Sequence, residues 1–312
     1  MQALIATYPN TIMPSSDVTW ELMSRFIRYV DASPKTVETY TRALRQLIYY
    51  LSSRHIGSPT REDLIEWRDE LKETHKPTTV QNYIAAVRLF FRWTAQEGIY
   101  PDISNHLKGA KLDRANKKDA LTASQLKHIL ASMQRDSVQE KRDYAIVLLM
   151  ANCALRDIEI SRANIEDMRP VGDAPALYVQ GKGHNEKTEF VKMHPETEKA
   201  IREYLAVRKP ASPSEPLFSS TSNNSTGKRL STRSVSKIVK ETFRAAGYDS
   251  PRLTAHSLRH TGVTLALLAG APVEVVREYA RHTNINTTMI YCHALDKASN
   301  PCADLVGNGI FG

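Results

Sequence analysis

Apolar residues recur every three or four positions through the first hundred residues, which is the spacing of one helix face. Helix start signals precede two of these runs, because Ser33 stands before a proline and Thr60 forms a capping box with Asp63. Asp17 is the expected N-cap of the first run, and Gly98 is the expected stop of the last. The pattern predicts an all-α domain whose four helices start near residues 18, 34, 61 and 78.

The pattern changes in the second part of the chain. Thr122 and Gln125 form another capping box, whereas residues 176–180 and 188–193 alternate as strands do. The segment 181–187 between the strands has turn composition, which predicts an antiparallel hairpin with a cationic tip. Helices are expected near 122–133, 140–154, 196–208, 231–246, 256–269, 272–281 and 284–294. The fold class predicted for the whole chain is mainly α with a small antiparallel β-sheet.

These changes of pattern predict five segments. They are a flexible N-terminus (1–16), a four-helix domain (17–100), a basic linker (101–120), a second, α+β domain (121–295) and a C-terminal tail (296–312). The linker is either a flexible tether or a basic strap along a phosphate backbone. The cations that would make the phosphate contacts are Lys108, Lys111, Arg114, Lys117 and Lys118.

Charge and composition narrow the class of protein. The 42 lysines and arginines exceed the 34 acidic residues and give a formal net charge of +8, which favours a polyanionic partner such as nucleic acid. With 41% hydrophobic residues, the chain can form packed cores. Its three cysteines exclude a disulfide scaffold and lack the spacing of a zinc site. Because we see neither a secretory signal nor a membrane-spanning run, we expect a cytoplasmic protein.

Five features of the second domain carry potential chemistry, although each alone is ordinary. They are the pair Arg156 and Glu159, Lys182 between two glycines, His256 with Arg259 one helical turn later, His282, and Tyr291.

Together these residue types supply what metal-free cleavage of a phosphodiester requires. Guanidinium groups bind the non-bridging oxygens in bidentate fashion, and imidazoles add further donors. A lysine on a hairpin can protonate the leaving oxygen, and a tyrosine hydroxyl can act as the nucleophile. We therefore expect neither a metal nor another cofactor.

The order of these motifs resembles the tyrosine recombinase (phage integrase) family. The resemblance rests on Leu-Arg-x-x-Glu, Gly-Lys-Gly, His-x-Leu-Arg-His-Thr, a later His and a Tyr nine positions after it. It covers 121–295 strongly, and 17–100 as the SAM-like core-binding domain that precedes the catalytic domain. It implies a simple Xer-like layout without the arm-binding domain of larger integrases.

The resemblance also implies roles for individual residues. The scissile phosphate would be bound by Arg156, Arg259, His256 and His282. Tyr291 would form a 3′-phosphotyrosyl link, and Lys182 would protonate the departing 5′ oxygen, with Lys187 as a lesser rival. Glu159 and His260 would support the site.

The implied partner is double-stranded DNA, bound at a short core site with inverted repeats and clamped between the two domains. A homotetramer on two such sites would exchange strands through a four-way junction. The biological function would be integration or excision of a mobile element or resolution of DNA dimers. The sequence leaves open whether accessory proteins take part. The tail 296–312 would either be exchanged between subunits or be disordered.

One departure from the family pattern is Ala280-Arg281-His282, where Leu-Gly-His is usual. Arg281 either contacts a phosphate or is an ordinary surface arginine. Three other functions stay open at this point: a catalytically idle DNA-binding protein of the same fold, a type IB topoisomerase-like enzyme, and a metal-dependent nuclease. The nuclease would use His256, His260 and His282 as ligands.

Overall fold

The computed structural model describes residues 16–111, 119–181, 186–210, 212–298 and 300–311. The chain divides into two compact units. We call Met1–Arg114 the N-terminal unit and Ala115–Gly312 the C-terminal unit.

The described part of the N-terminal unit is helical. Its helices are α1 (Ser16–Val30), α2 (Pro34–Ser53), α3 (Arg61–Thr74) and α4 (Pro77–Gln96). The predicted start signals form, because the Ser33 hydroxyl accepts the Thr36 amide at 3.3 Å and the Thr60 amide donates to Asp63 at 2.6 Å. The four predicted helices are confirmed, but Asp17 lies inside α1 instead of at its N-cap.

Aromatic side chains from α1 and α4 form the centre of the N-terminal core. Phe26 lies edge-on to Phe90 at 5.3 Å between ring centroids and 5.6 Å from Trp93. The core extends into the segment that we predicted as linker, where Leu107 is fully buried. Residues 101–111 therefore pack on this unit, because Ile103 and Ala110 also contact the same core.

The C-terminal unit alternates helices with a small sheet. Its elements are α5 (Ala123–Ser132), α6 (Val138–Asn152), α7 (Asp157–Arg162), a 3-10 turn (Ile165–Asp167), β1 (Ala176–Val179), β2 (Glu189–Lys192), α8 (Pro195–Arg208), α9 (Thr232–Ala245), α10 (Ala255–Leu268), α11 (Val273–Ala280), α12 (Asn286–Ala298) and α13 (Cys302–Phe311).

Strands β1 and β2 pair antiparallel, with Ala176 opposite Lys192 and Val179 opposite Glu189. The predicted hairpin is confirmed, although residues 182–185 of its turn lie outside the described residues. Sequence periodicity missed two helices, α7 and α13. The first has only six residues, which is too short to show a period, and the second contains Gly307 and Gly309, which disfavour a helix interior.

Helix α10 packs closely against the end of α6, and this contact positions the elements that carry the candidate site residues. A Cβ atom on Gly262 of α10 would lie 2.5 Å from the Ala151 carbonyl oxygen, so only glycine fits this crossing. This contact brings the middle of α10 beside the turn that follows α6. Within the described residues, no helix has the length and apolar character of a membrane span.

Candidate active site

The turn between α6 and α7 presents Arg156 and Glu159. Ala154 adopts φ 47° and redirects the chain, so that Arg156 becomes the N-cap of α7. Glu159 accepts the Arg156 backbone amide at 2.8 Å and its guanidinium at 2.8 Å. Burial opposes ionisation of this carboxyl group, but Arg281 and Arg156 outweigh burial and hold the pKa of Glu159 below its ordinary value. Arg156 keeps 27% of its side chain exposed and can still present donors outward.

Arg259 reaches the same turn from α10. Its side chain is buried and donates to the Ala154 carbonyl oxygen at 2.6 Å and to the Ala280 carbonyl oxygen. Burial, together with the positive charges of Arg156 and Arg281, lowers the pKa of Arg259 to about 9, so its guanidinium is still charged at neutral pH. Two carbonyl groups from different turns therefore fix this cation.

His282 follows α11 and is buried. Its Nδ1 atom shares a hydrogen bond of 2.9 Å with the Thr288 hydroxyl of α12. Burial and the neighbouring arginines, Arg259 first, lower the pKa of His282 to about 4. The ring is therefore neutral at neutral pH, and the hydrogen bond with Thr288 holds its orientation.

Tyr291 of α12 lies among these groups, with 5% of its surface exposed. Its hydroxyl shares a short hydrogen bond with His260 Nδ1, and its ring stacks at 6.3 Å from the His282 ring. Burial raises the pKa of Tyr291 to about 12, against the opposing charges of Arg259 and Arg156. The phenol is therefore protonated at neutral pH, and His260 is within reach to accept its proton.

The two histidines of α10 form a pair. The His256 ring lies edge-on to the His260 ring at 4.5 Å between centroids. Burial, and then the charges of His256 and Arg259, lower the pKa of His260 to about 4. His256 and Arg259, one helical turn apart, both lie near enough to His282 to lower its pKa, although His256 is exposed and Arg259 is buried.

The Arg281 side chain points into the protein and not toward the solvent, where a phosphate would bind. Only 6% of its side chain is exposed, and its guanidinium donates to Glu159 at 2.9 Å and to the Tyr279 carbonyl oxygen at 2.9 Å. The expectation of an outward-facing cation is therefore corrected, because the left-handed backbone at Arg281 folds its side chain into the protein.

The other predicted residues differ in what the structure describes of them. Lys182, Arg114, Lys117 and Lys118 lie outside the described residues. Lys187 forms an ion pair with the buried Asp167, which makes it a poor rival as a proton donor. Lys108 and Lys111 are exposed in the N-terminal unit.

The arrangement can bind an anion and attack it. Arg156, Arg259 and His282 surround one location beside the Tyr291 ring. Thr288 and Arg281 support this location through their contacts with His282 and Glu159. The sequence analysis did not identify Thr288, and it placed Arg281 on the surface. Thr288 stands three positions before Tyr291, so a polar residue facing the same way was a usable signal. Among the described side chains, no group of three or more His, Cys, Asp or Glu could hold a metal ion.

Family models match most of the chain. The model described as "Phage integrase family" matches residues 119–298, and the one described as "Phage integrase, N-terminal SAM-like domain" matches residues 20–99.

Curated relatives are similar over most of their length. A tyrosine recombinase of Synechococcus elongatus is 25% identical, with 97% of this chain and 97% of the relative covered. The tyrosine recombinase XerC of Alcanivorax borkumensis is 30% identical, with 84% of each chain covered.

Solved structures share the fold. The XerH site-specific recombinase in a post-cleavage complex with a palindromic difH substrate matches with a TM-score of 0.73 at 20% identity, covering 90% of this chain and 84% of that one. The Tn1549 transposon integrase bound to transposon right end DNA matches with a TM-score of 0.69 at 20% identity, covering 90% of this chain and 99% of the other.

Proposed function

The chain belongs to the phage integrase family and is a tyrosine recombinase, an enzyme that breaks and rejoins DNA strands in site-specific recombination, and we propose that Tyr291 is its nucleophile. One observation carries this assignment. A buried tyrosine lies beside two arginines and His282, and its hydroxyl is hydrogen-bonded to His260, which can accept its proton.

In the proposed reaction Arg156 and Arg259 bind the non-bridging oxygens of the scissile phosphate. Both guanidiniums are held by protein carbonyl or carboxylate groups, so they stabilise the charge that develops in the transition state with little rearrangement. His282 adds a neutral imidazole, and His256 adds an exposed one at the rim.

The Tyr291 oxygen attacks phosphorus, and the 5′ oxygen of the next nucleotide leaves. The product is a 3′-phosphotyrosyl link, which conserves the phosphodiester bond energy for rejoining. We assign the proton for the leaving oxygen to Lys182 on the strength of its Gly-Lys-Gly motif between β1 and β2. The proton of Tyr291 passes to His260.

The proposed substrate is double-stranded DNA with a short inverted-repeat core site. The XerH relative was solved with a palindromic difH substrate, which supports a symmetric site. We propose that a homotetramer acts on two such sites through a four-way junction, with the cytoplasm as the location. The net charge of +8 agrees with a DNA partner.

The proposed nucleophile can be tested by covalent capture. Purified protein is incubated with fragments of the genome that encodes it in the presence of EDTA and then denatured with SDS, and the attached DNA is sequenced. We expect adducts at one short, inverted-repeat site for the wild-type chain and none for Tyr291→Phe. Tyr248→Phe is the matched control, because Tyr248 packs against His128 in the same unit and outside the site.

Two results would contradict the proposal. Adducts that persist in Tyr291→Phe would assign the nucleophile to another residue. Adducts without sequence preference would indicate a topoisomerase-like activity instead of site-specific recombination.

A further inference from the structure

Arg281 occupies a backbone conformation that favours glycine. It follows α11 with φ 53° and ψ 48°, in the left-handed region. A side chain with a Cβ atom is disfavoured there, and Asn, Asp and Gly are the usual exceptions. An arginine at this position therefore needs compensating contacts.

The Arg281 guanidinium makes those contacts inside the protein. One terminal nitrogen donates to Glu159 at 2.9 Å and to the Ala154 carbonyl oxygen at 3.2 Å. The other donates to the carbonyl oxygens of Tyr279 at 2.9 Å and Cys153 at 3.4 Å. The side chain thereby joins the end of α11 to the turn that carries Arg156.

The backbone around Arg281 holds the same two arginines. Its own carbonyl oxygen accepts Arg156 at 3.2 Å, and the preceding carbonyl, of Ala280, accepts Arg259. The Ala154 carbonyl oxygen is shared by Arg259 and Arg281. Movement of this turn would therefore displace both phosphate-binding guanidiniums.

Local stability alone does not explain this side chain. Its Nε atom is buried without a hydrogen-bond partner among the described residues, which costs free energy. Arg156 and Arg281 both pair with a single buried carboxylate, Glu159, and Arg259 is near enough for its charge to interact with it. This excess of positive charge suits a site that receives an anion.

We propose that Arg281 is a positioning residue of this site. It holds one oxygen of Glu159 so that the other orients the Arg156 guanidinium toward the scissile phosphate. The inference rests on the proposed function for its consequence in catalysis, whereas its effect on Glu159 can be measured without DNA.

Three variants separate the contributions of Arg281. Arg281→Gly suits the left-handed backbone and removes the guanidinium, whereas Arg281→Met retains a long side chain without charge. Arg281→Lys restores a cation with fewer donors. Arg202→Ala is the matched control, because it removes an arginine from an ion pair with Glu198 on the exposed surface of α8.

The first measurement is the carboxyl titration of Glu159 by 13C NMR, assigned with Glu159→Gln. In the wild-type chain we expect the midpoint of the Glu159 titration to lie below its ordinary value of 4.5. In Arg281→Gly and Arg281→Met the pKa should rise by about 1 to 3, because a charge partner is lost while burial is kept. Arg281→Lys should recover most of the difference, and Arg202→Ala should show none.

The second measurement is the single-turnover rate of adduct formation on a nicked duplex that contains the captured sequence. We expect the maximal rate of Arg281→Gly and Arg281→Met to fall by about 10 to 100-fold, as is typical when an outer partner of a binding group is lost. The DNA concentration at half-saturation should change little, and Arg281→Lys should recover part of the rate.

The outcomes are distinguishable. An unchanged Glu159 pKa and a wild-type rate in both uncharged variants would reject the proposal. If Arg281→Gly alone is impaired, backbone geometry and not the cation is responsible, which also rejects it. If the wild-type chain forms no adduct, the proposed function fails, while the titration still decides whether Arg281 holds Glu159.

Discussion

The two units of this protein are stabilised in different ways. The buried polar residues of the described N-terminal unit are Thr94 and Ser104, neither of which carries a charge. The described C-terminal unit buries two arginines and two acidic residues together with His260 and His282. Aromatic packing dominates the first core, and hydrogen-bonded charges lie within the second.

This difference shows where function constrains the fold. Buried charges contribute little net stability even when they are paired, and each is costly when it loses its partner. The C-terminal unit retains four of them, Glu159, Arg259, His260 and His282, around the candidate site, whereas Arg142 and Asp167 form ion pairs elsewhere in the unit. The N-terminal unit carries its charges on the surface, as in the exposed ion pair of Arg25 with Glu97.

The largest predicted effect is that of salt on DNA binding. If binding neutralises about 6 to 10 phosphates, raising the salt concentration from 50 to 200 mM should weaken the non-specific affinity by roughly 10³ to 10⁵. The affinity at each salt concentration is measured by fluorescence anisotropy of a labelled duplex. Lys108→Ala and Lys111→Ala should each lower the slope of log affinity against log salt by about 1.

The control for the salt response is Tyr291→Phe, which should bind with the wild-type slope because it removes no charge. An affinity that is flat across this range would contradict a binding surface dominated by phosphate contacts. An unchanged slope in the lysine variants would remove those two residues from the interface.

The next largest effect is loss of aromatic packing in the N-terminal unit. Phe26→Ala should lower the free energy of unfolding by about 3–5 kcal/mol, because a fully buried ring is replaced by a cavity. Urea unfolding followed by tryptophan fluorescence reports this unit selectively, since all three tryptophans lie within its sequence. Tyr49→Ala, at a side chain that is 74% exposed, should change the midpoint little.

The architecture of the N-terminal unit was predictable because its signals are local. Each helix carries a complete apolar face, and Ser33 and Thr60 begin their helices through contacts with residues three positions later. The segment after Tyr100 was the exception. Its few apolar residues gave no extended period, so the packing of Leu107 could be found only in three dimensions.

Acid should destabilise the C-terminal unit and leave the N-terminal one unaffected between pH 7 and 5. Folding lowers the pKa of His260 and His282 to about 4, from an ordinary value of 6.5. Below pH 6.5 the unfolded chain therefore takes up protons that the folded chain does not, and stability falls as pH falls toward 4. The loss at pH 5 should reach about 2 kcal/mol per histidine.

Two probes separate the units in that experiment. Urea unfolding followed by far-UV circular dichroism should show a transition whose midpoint falls to a lower urea concentration at pH 5. The midpoint of the transition followed by tryptophan fluorescence should stay the same. His282→Gln and His260→Gln should each remove part of the pH dependence. A pH response of equal size in both transitions would mean that the contrast in buried titratable groups does not control stability.

The residues of the candidate site were accessible from the sequence, but their geometry was not. Motif order identifies Arg156, Arg259 and Tyr291, whereas the contact of Arg156 with the Arg281 carbonyl spans 125 positions. The inward direction of Arg281 depends on one left-handed backbone angle, which sequence spacing does not encode. The same holds for the hydrogen bond between His260 and Tyr291, which are 31 positions apart on different helices.

The smallest predicted effect isolates one neutral contact within the charged core of the C-terminal unit. Thr288→Val keeps the volume of a fully buried side chain and removes the hydroxyl that is bonded to His282. One lost hydrogen bond of about 1 kcal/mol should slow adduct formation by less than tenfold, because the ring can turn away from the phosphate.

Thr288→Ser should restore the rate, because it keeps the hydroxyl, and Thr287→Val at the exposed neighbouring position should leave the rate unchanged. A Thr288→Val rate equal to wild type would mean that packing alone orients His282. A loss as large as that of His282→Gln would mean that the ring has no productive orientation without Thr288. The expected intermediate value means that a single polar contact contributes to the activity of the C-terminal unit, whereas the core of the N-terminal unit is held by aromatic packing.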